Sequence, residues 1–410
     1  MPHDRLETAL SAALVELKTS GRRKGSETVI VGVVPASGDR GSRYLIEGAG
    51  EKPFLRMNSN SYLGMSFQAE VMAAEEAAVR TYGTGPGAVR FISGTWAPHI
   101  ALERRLASFH DRPAAMIYSS AYAAVMGILP PLIDGETAVI SDALNHNCII
   151  NAVRLAAPKE KHVYAHLDMG ELDDALASAA RACRRAIVVT DGVFSMRGDH
   201  APLEEIAALA RKHDEAFAEN VLVMVDDSHG VGAFGATGRG TEEICKNTPA
   251  DLLVATLGKA IGVNGGYVVG NETFIEYLRE TSPFYVYSNP ITAGEAAAAT
   301  AALAILDSPK GLEMLAHIRA MTERFRQGLE ALSLEAIPGE HPVVPVMIRD
   351  TERTSALVAH LKAEGVLATG LNYPVVPRGD EEIRFQISAD HTAADIDEAL
   401  AALASFGEAG

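Results

Sequence analysis

The chain has 410 residues, 48% of them hydrophobic, and a formal net charge of −17, which is enough apolar material for a large core divided between a major and a minor domain. The basic residues are dispersed among more numerous acids, which argues against a nucleic-acid surface, since phosphate backbones need a contiguous positive patch; a local basic pocket for a phosphorylated small molecule stays open. Cys148, Cys183 and Cys245 lie far apart with no C-x-x-C pair, so neither a disulfide framework nor a thiolate metal site is expected, and a reducing cytoplasm suits the composition.

The opening MPHDRLETALSAALVELK places Leu6, Leu10, Leu14 and Leu17 at helical spacing among acids, which predicts an amphipathic helix and not a signal peptide. ETVIVGVV and SRYLIEG then flank PASGDRG as two strands around a Pro/Gly turn, so residues 1–60 read as a helix and β extension. From about residue 64 short apolar strands (AAMIYS, TAVIS, HVYAH, AIVVTDG, VLVMVDD, DLLVATL, GYVVG) alternate with stretches of helical period such as GELDDALASAARACRR and LEEIAALARKHDEAFA. DLLVATL and GYVVG are too close for a crossover and are placed to pair antiparallel. This pattern predicts, for residues 61–294, a large α/β domain whose mostly parallel sheet is covered by helices on both faces. The longest apolar run, near AYAAVMGILPPLI, is short for a bilayer and contains Pro130 and Pro131, so no membrane segment is expected. From about residue 295, AGEAAAATAALAIL, PVVPVMIR, TSALVAHLKAEG and EIRFQIS with a last helix predict a small α+β domain over residues 295–410.

Ligands of open α/β sheets sit beyond the carboxyl ends of the strands, and polar residues gather at those ends: Ser119 and Ser120, Asn145 and His146, Asp191 and Ser195, Asp226 and His229, Thr256 and Lys259. Lys259 is the only charge between Asp251 and Glu272, an unusual setting for a lysine that merely solubilises a surface. VDDSHGVGAFG contains G-x-G-x-x-G at Gly230, Gly232 and Gly235, but the turn-rich ATGRGTEE follows where a dinucleotide site needs a helix. Asp226 and His229 are compatible with a hydrogen-bonded structural pair or with metal ligation, and no further ligand pattern closes a metal site. AAMIYSSAYAAVMGIL reads as strand, Ser-Ser turn and helix; the helix start is either a plain cap or a phosphate cradle.

NSNSYLG, VRFISGT, SDALNHNCIINAVRL, TDGVFSMRGD, VMVDDSHGVGAFGATGRGTEE, TLGKAIGVNGGYVVG, FYVYSN and IRFQISADHT occur in this order over roughly residues 58–393. Together they resemble the α-oxoamine synthases, pyridoxal-phosphate transferases of fold type I, and are most similar to the glycine C-acetyltransferase branch, with 8-amino-7-oxononanoate synthases as near relatives. The resemblance implies that Lys259 forms the Schiff base with pyridoxal 5'-phosphate, that Asp226 holds the pyridine nitrogen protonated, and that His229 and Ser195 attend the phenolic oxygen. It implies that His146 stacks on the ring and that Ala121, Tyr122 and Thr256 bind the phosphate, with Ser288 reaching it from a partner subunit of a homodimer with shared active sites. Arg384, assisted by Asn60, would clamp the substrate carboxylate; from the residues alone, a strand-edge pair of Arg384 with Glu381 or Glu382 is the plainer reading. The implied reaction is an acyl transfer: an amino acid of glycine or alanine type condenses with an acyl-CoA, and CoA leaves. Alternatives are 8-amino-7-oxononanoate synthase-type specificity, or an aminotransferase or decarboxylase on the same fold. Asn147 and Cys148 stand where Ala-Ser is usual in the family, Trp96 stands where a polar residue is common, and the stretch near Gly85 and Pro86 also departs; these positions bear on the substrates.

Overall fold

The computed structural model describes residues 3–20, 22–23, 27–373 and 375–408. Two compact units emerge: Asn60–His317, and a second in which Met1–Ser59 joins Ile318–Gly410.

The second unit begins with α1 (Asp4–Thr19), β1 (Ile30–Val34), β2 (Arg43–Ile46) and β3 (Pro53–Arg56). The larger unit then runs through α2 (Ala69–Tyr82), α3 (Ala97–Phe109), β4 (Ala114–Tyr118), α4 (Ala121–Leu132), β5 (Thr137–Asp142), α5 (Asn147–Ala156), β6 (Glu160–Tyr164), α6 (Met169–Ala179), β7 (Arg185–Asp191) and α7 (Leu203–His213). It continues through β8 (Val221–Asp226), α8 (Thr241–Ile244), β9 (Leu252–Thr256), β10 (Gly266–Gly270), α9 (Glu272–Thr281), α10 (Pro283–Val286) and α11 (Ala293–Leu306). After α12 (Pro309–Ala331), the second unit closes with β11 (Val343–Met347), α13 (Thr351–Glu364), β12 (Val366–Leu367), β13 (Thr369–Leu371), β14 (Glu382–Gln386) and α14 (Ala393–Glu408).

The larger unit holds a seven-stranded sheet in the order β4-β10-β9-β8-β7-β5-β6. Pairs among β5 to β9 are parallel, while β10 runs antiparallel to both β9 and β4, the pairing expected from the short DLLVATL to GYVVG connection. The inner strands are largely apolar because both their faces are buried, while the edge strand β6, EKHVY, is only partly buried. Val139, Ile187, Val189, Met224 and Val254 pack with Val125, Ile128, Ile149 and Val153 of α4 and α5. Ile140, Val188, Val223 and Val225 point the other way, onto Leu172, Leu176 and Ile206 of α6 and α7. Successive residues of one strand thus serve opposite cores, as the two-residue period of a strand dictates.

The boundaries expected at 60/61 and 294/295 need correction on the second count. The Ala-rich α11 packs on α2 and α3, with Ala296, Ala298, Ala299 and Ala302 fully buried, so it stays with the larger unit and the division falls after His317. The N-terminal extension is also not a separate body. Its buried Arg43 bonds Asp395 Oδ1 at 2.6 Å and Glu398 Oε2 at 2.9 Å on α14, and β3 pairs in parallel with β12. The expected amphipathic helix forms as α1, but no residue on it is buried and Leu6, Leu10 and Leu14 stay exposed. No helix among the described residues is long and apolar enough to cross a membrane.

Candidate active site

At the carboxyl edge of the large sheet lies a cavity of about 170 Å³ lined by Ser120, Ala121, Tyr122, His146, Cys148, Asp191, Val193, Ser195, Asp226, Ser228, His229, Thr256 and Lys259. Each comes from the end of a strand or the segment that follows it, so the sheet delivers residues more than a hundred positions apart to one place. Eight of the residues given cofactor roles by the resemblance meet here: Ala121, Tyr122, His146, Ser195, Asp226, His229, Thr256 and Lys259. Asn60 and Ser288 do not line this cavity. Arg384 belongs to the other unit, on β14.

Lys259 is half-buried in the turn between β9 and β10, beside the buried Leu257, Ala260 and Ile261. Gly262 in that turn has φ +75°, and a Cβ there would lie 2.5 Å from Ser66 N, so the turn depends on glycine. Asp226, the last residue of β8, accepts at Oδ1 from Ser228 N (3.2 Å) and Ser228 Oγ (2.5 Å) and at Oδ2 from Cys148 Sγ (3.6 Å). These bonds fix the plane of a carboxylate that is almost wholly buried.

His146 caps α5, and its Nδ1 accepts from Cys148 N at 3.3 Å and sits 2.9 Å from Cys148 Sγ. An accepting Nδ1 leaves the proton on Nε2. Burial lowers the His146 pKa and nearby Lys259 adds to that, against the opposing pull of Asp226, so the imidazole is neutral near pH 7. Tyr122 turns its ring edge toward His146, and its hydroxyl joins Asn147 Oδ1 (3.2 Å) and Asn151 Nδ2 (2.7 Å).

The start of α4 forms the cradle. Ser120 Oγ accepts from Ala123 N at 3.0 Å, as a cap does, and the helix opens at Ala121 and Tyr122 on the cavity wall. β10 approaches this turn so closely that a Cβ on Gly266 would lie 2.2 Å from Ala121 N; only glycine leaves the turn its shape. Thr256 Oγ1 accepts from Gly258 N (3.0 Å) and donates to Gly265 O (3.2 Å).

Asp191, read in the sequence only as a strand-end polar residue, lines the cavity, and other neighbours of the site carry no signal in the sequence. Asp191 accepts from His146 N at Oδ2 (3.0 Å), while its buried Oδ1 has no partner among the described residues. Burial and the neighbouring Asp226 push its pKa well above the usual carboxylate range. Ser228 and Cys148 touch Asp226, which no sequence spacing discloses. Tyr62, fully buried and at φ 28°, places its hydroxyl 2.7 Å from His229 Nδ1. A bulky residue at positive φ is costly, and here burial and the histidine contact hold it there.

The fold and cavity define a type I architecture built around a strand-end lysine, aspartate and helix-start cradle. The family model for class I and II aminotransferases matches residues 52–403. The 2-amino-3-ketobutyrate coenzyme A ligase of Salmonella typhimurium is 39% identical over 85% of this chain and 86% of its own. The 8-amino-7-oxononanoate synthase of Thermosipho melanesiensis is 37% identical over 90% of this chain and 91% of its own. Among solved structures, a serine palmitoyltransferase from Sphingomonas wittichii superposes with a TM-score of 0.88 at 27% identity, covering 100% of this chain and 98% of that one. The chain belongs to the class I and II aminotransferase family, and within it to the α-oxoamine synthases.

Proposed function

We propose that this protein is a pyridoxal 5'-phosphate-dependent acyltransferase that condenses a small α-amino acid with an acyl-CoA, releases CoA, and yields a 2-amino-3-oxo acid or the aminoketone left after loss of carbon dioxide. The observation that carries this reading is the convergence of Lys259, Asp226, His229, His146 and the α4 cradle on one cavity. The cavity suits the cofactor's chemistry: a helix start with close backbone approach for a phosphate, a carboxylate held in a fixed plane for a ring nitrogen, and an amine for an aldehyde.

When bound, pyridoxal phosphate supplies an aldehyde for amines and a protonated ring that withdraws electrons from the substrate α-carbon. Asp226 would keep the proton on the ring nitrogen. His229 and Ser195 would hydrogen-bond the phenolic oxygen, His146 would stack on the ring, and the α4 amides of Ala121 and Tyr122 would hold the phosphate. The Thr256 hydroxyl would have to turn away from Gly265 O to donate to that phosphate. Lys259 would supply the amine for the aldehyde and, once free, the base that takes the α-proton at Nζ. The α-carbon then forms a bond to the thioester carbonyl carbon, and the CoA thiolate leaves.

CoA release measured with glycine, alanine, serine and threonine against short and long acyl-CoAs tests this. Release should require both substrates; keto-acid formation without any acyl-CoA requirement would place the protein among aminotransferases instead.

Arg384 and Asn60 are assigned to the substrate carboxylate on family resemblance. Of the two plainer partners for Arg384, Glu381 and Glu382, Glu381 accepts from Thr351 Oγ1 (2.9 Å) and Gly379 N (2.8 Å). A charge-assisted bidentate bond contributes about 1.5 to 3 kcal/mol, so Arg384→Ala should weaken amino-acid binding roughly tenfold to more than a hundredfold while cofactor content holds. Unchanged amino-acid affinity in a substrate titration would return Arg384 to a structural role.

The working form is a cytoplasmic homodimer in which Ser288 of each subunit reaches the other's phosphate. Support comes from apolar exposure: Tyr287, next to Ser288, is 80% exposed, and Phe91 and Ile92 are 68% and 67% exposed, more than an isolated surface favours. Sedimentation should give twice the chain mass; a monomer with full activity would end this reading.

A further inference from the structure

We propose that His166 is a positioning residue that ties the loop delivering His146 to the loop delivering Ser195, so that two walls of the cofactor site are set by an ion pair outside it. The proposal rests on the roles assigned to His146 and Ser195 above. His166 follows β6 and is not a cavity residue. It stands between carboxylates from two segments, the end of β5 and the loop after β7: Nδ1 lies 3.0 Å from Asp142 Oδ1 and 3.2 Å from Oδ2, and Nε2 lies 3.2 Å from Asp199 Oδ2. Both ring nitrogens face acceptors, and an imidazole donates from both only when protonated.

Each carboxylate in turn shapes a loop. Asp142, fully buried at its side chain, also accepts from Leu144 N (2.8 Å) and Leu167 N (3.0 Å), which sets the turn leading into His146. Asp199 stands on the return of a tight loop closed by Phe194 N to Asp199 O at 2.9 Å, and Ser195 is the next residue in that loop. The Phe194 ring meets His166 edge-on at 4.4 Å. The charged groups around the imidazole are Asp142 and Asp199, Arg197, which donates to Asp199 Oδ2 at 2.8 Å, and, on the adjoining start of α6, Asp168 and Glu171, which accept from backbone amides. No set of three His, Cys, Asp or Glu among the described residues is arranged to hold a metal, so the cluster is an ion-pair bridge. Burial opposes the charge, but the hydrogen bonds that His166 donates to Asp142 and Asp199 outweigh it and raise its pKa to about 9.

The sign follows. A histidine with a raised folded-state pKa stabilises fully below its unfolded value near 6.5, and the contribution is lost as pH rises through about 9. The test uses the holoenzyme and follows melting midpoint, cofactor dissociation constant and visible circular dichroism of the bound cofactor from about pH 6.5 to 10. Wild type, His166→Gln and Asp199→Asn are compared, with His162→Gln, whose partner is the half-buried Glu160, as control. In His166→Gln the cofactor constant should be about tenfold higher at neutral pH and the dichroism weaker. Both should then lack the alkaline change that wild type and His162→Gln show near pH 9. A His166→Gln protein that melts lower but keeps the wild-type constant, dichroism and pH profile would overturn the proposal, because that is the signature of packing alone. If His166→Gln does not fold, Asp199→Asn, which keeps an acceptor and removes one charge, must shift the constant and flatten the alkaline limb; no shift overturns the proposal. Failure of wild type to bind the cofactor would sink the site assignment instead, a separate outcome, and a melting midpoint flat through pH 9 would then overturn the His166 bridge as well.

Discussion

Lys259→Ala is expected to lower turnover by about 10⁴-fold or more, because it removes both the covalent anchor and the amine that takes the α-proton. The fold should survive the change. Lys259 is only half-buried, in a turn shaped by Gly262 and walled by Leu257, Ala260 and Ile261. Cofactor should still bind by its phosphate at the α4 start, although less tightly, and a small primary amine added to the medium should restore part of the rate by standing in for the missing base. The measurement is CoA release at saturating substrates, with a melting curve as control for folding. A variant that keeps more than about a tenth of wild-type turnover would mean that another group takes the proton.

The second large effect separates two adjacent aspartates. Asp226→Asn should cut turnover about 10²- to 10⁴-fold with the protein still folded, since a neutral amide does not hold the proton on the ring nitrogen. Asp227 points to the opposite side of β8, as strand alternation requires, but it is not idle. Its carboxylate accepts from Thr241 N and Thr241 Oγ1, both at 2.7 Å, and it is so tightly enclosed that a Cβ on Gly192, Gly230 or Gly240 would fall within 2.2 Å of its oxygens. Burial raises its pKa to about 7. Of the three glycines that mimic a dinucleotide motif in the sequence, Gly230 makes room for this carboxylate, while Gly232 and Gly235 make room for Ala260 and Glu243. Asp227→Ala leaves Thr241 N and Oγ1 without an acceptor in a buried site and should cost roughly 2 to 4 kcal/mol of stability. Chemical denaturation and kcat distinguish the two: Asp226→Asn should lose rate without stability, and Asp227→Ala stability before rate. The reverse pattern would contradict the assignment of the two faces.

The sheet was readable because most of its strands are apolar runs closed by polar residues, and the short span from Thr256 to Gly266 leaves no room for a crossover. The site was readable in outline for the same reason, since Asp226, Thr256 and Lys259 lie at or just past strand ends. What escaped depends on distance through space. Val366 and Leu367 form a two-residue strand against Leu55 and Arg56, too short to carry any period, and the union of the N-terminal strands with the C-terminal helices hangs on Arg43 meeting Asp395. The Ala-rich α11 has apolar character on every side, so its sequence does not say which neighbour it joins. Ser228, Cys148 and Tyr62 are ordinary polar or aromatic residues in the chain, and only the fold brings them to Asp226 and His229. His166, between Asp142 and Asp199, was hidden for the same reason: its partners lie 24 and 33 positions away on other segments.

Borohydride reduction of the purified protein with pyridoxal phosphate, followed by peptide mapping, tests the central assignment most directly. The reduced cofactor should be found on the peptide containing Lys259 and on no other, with about one equivalent per chain. Recovery of the label on a different lysine, or a protein that takes up no reducible cofactor while folded, would contradict it.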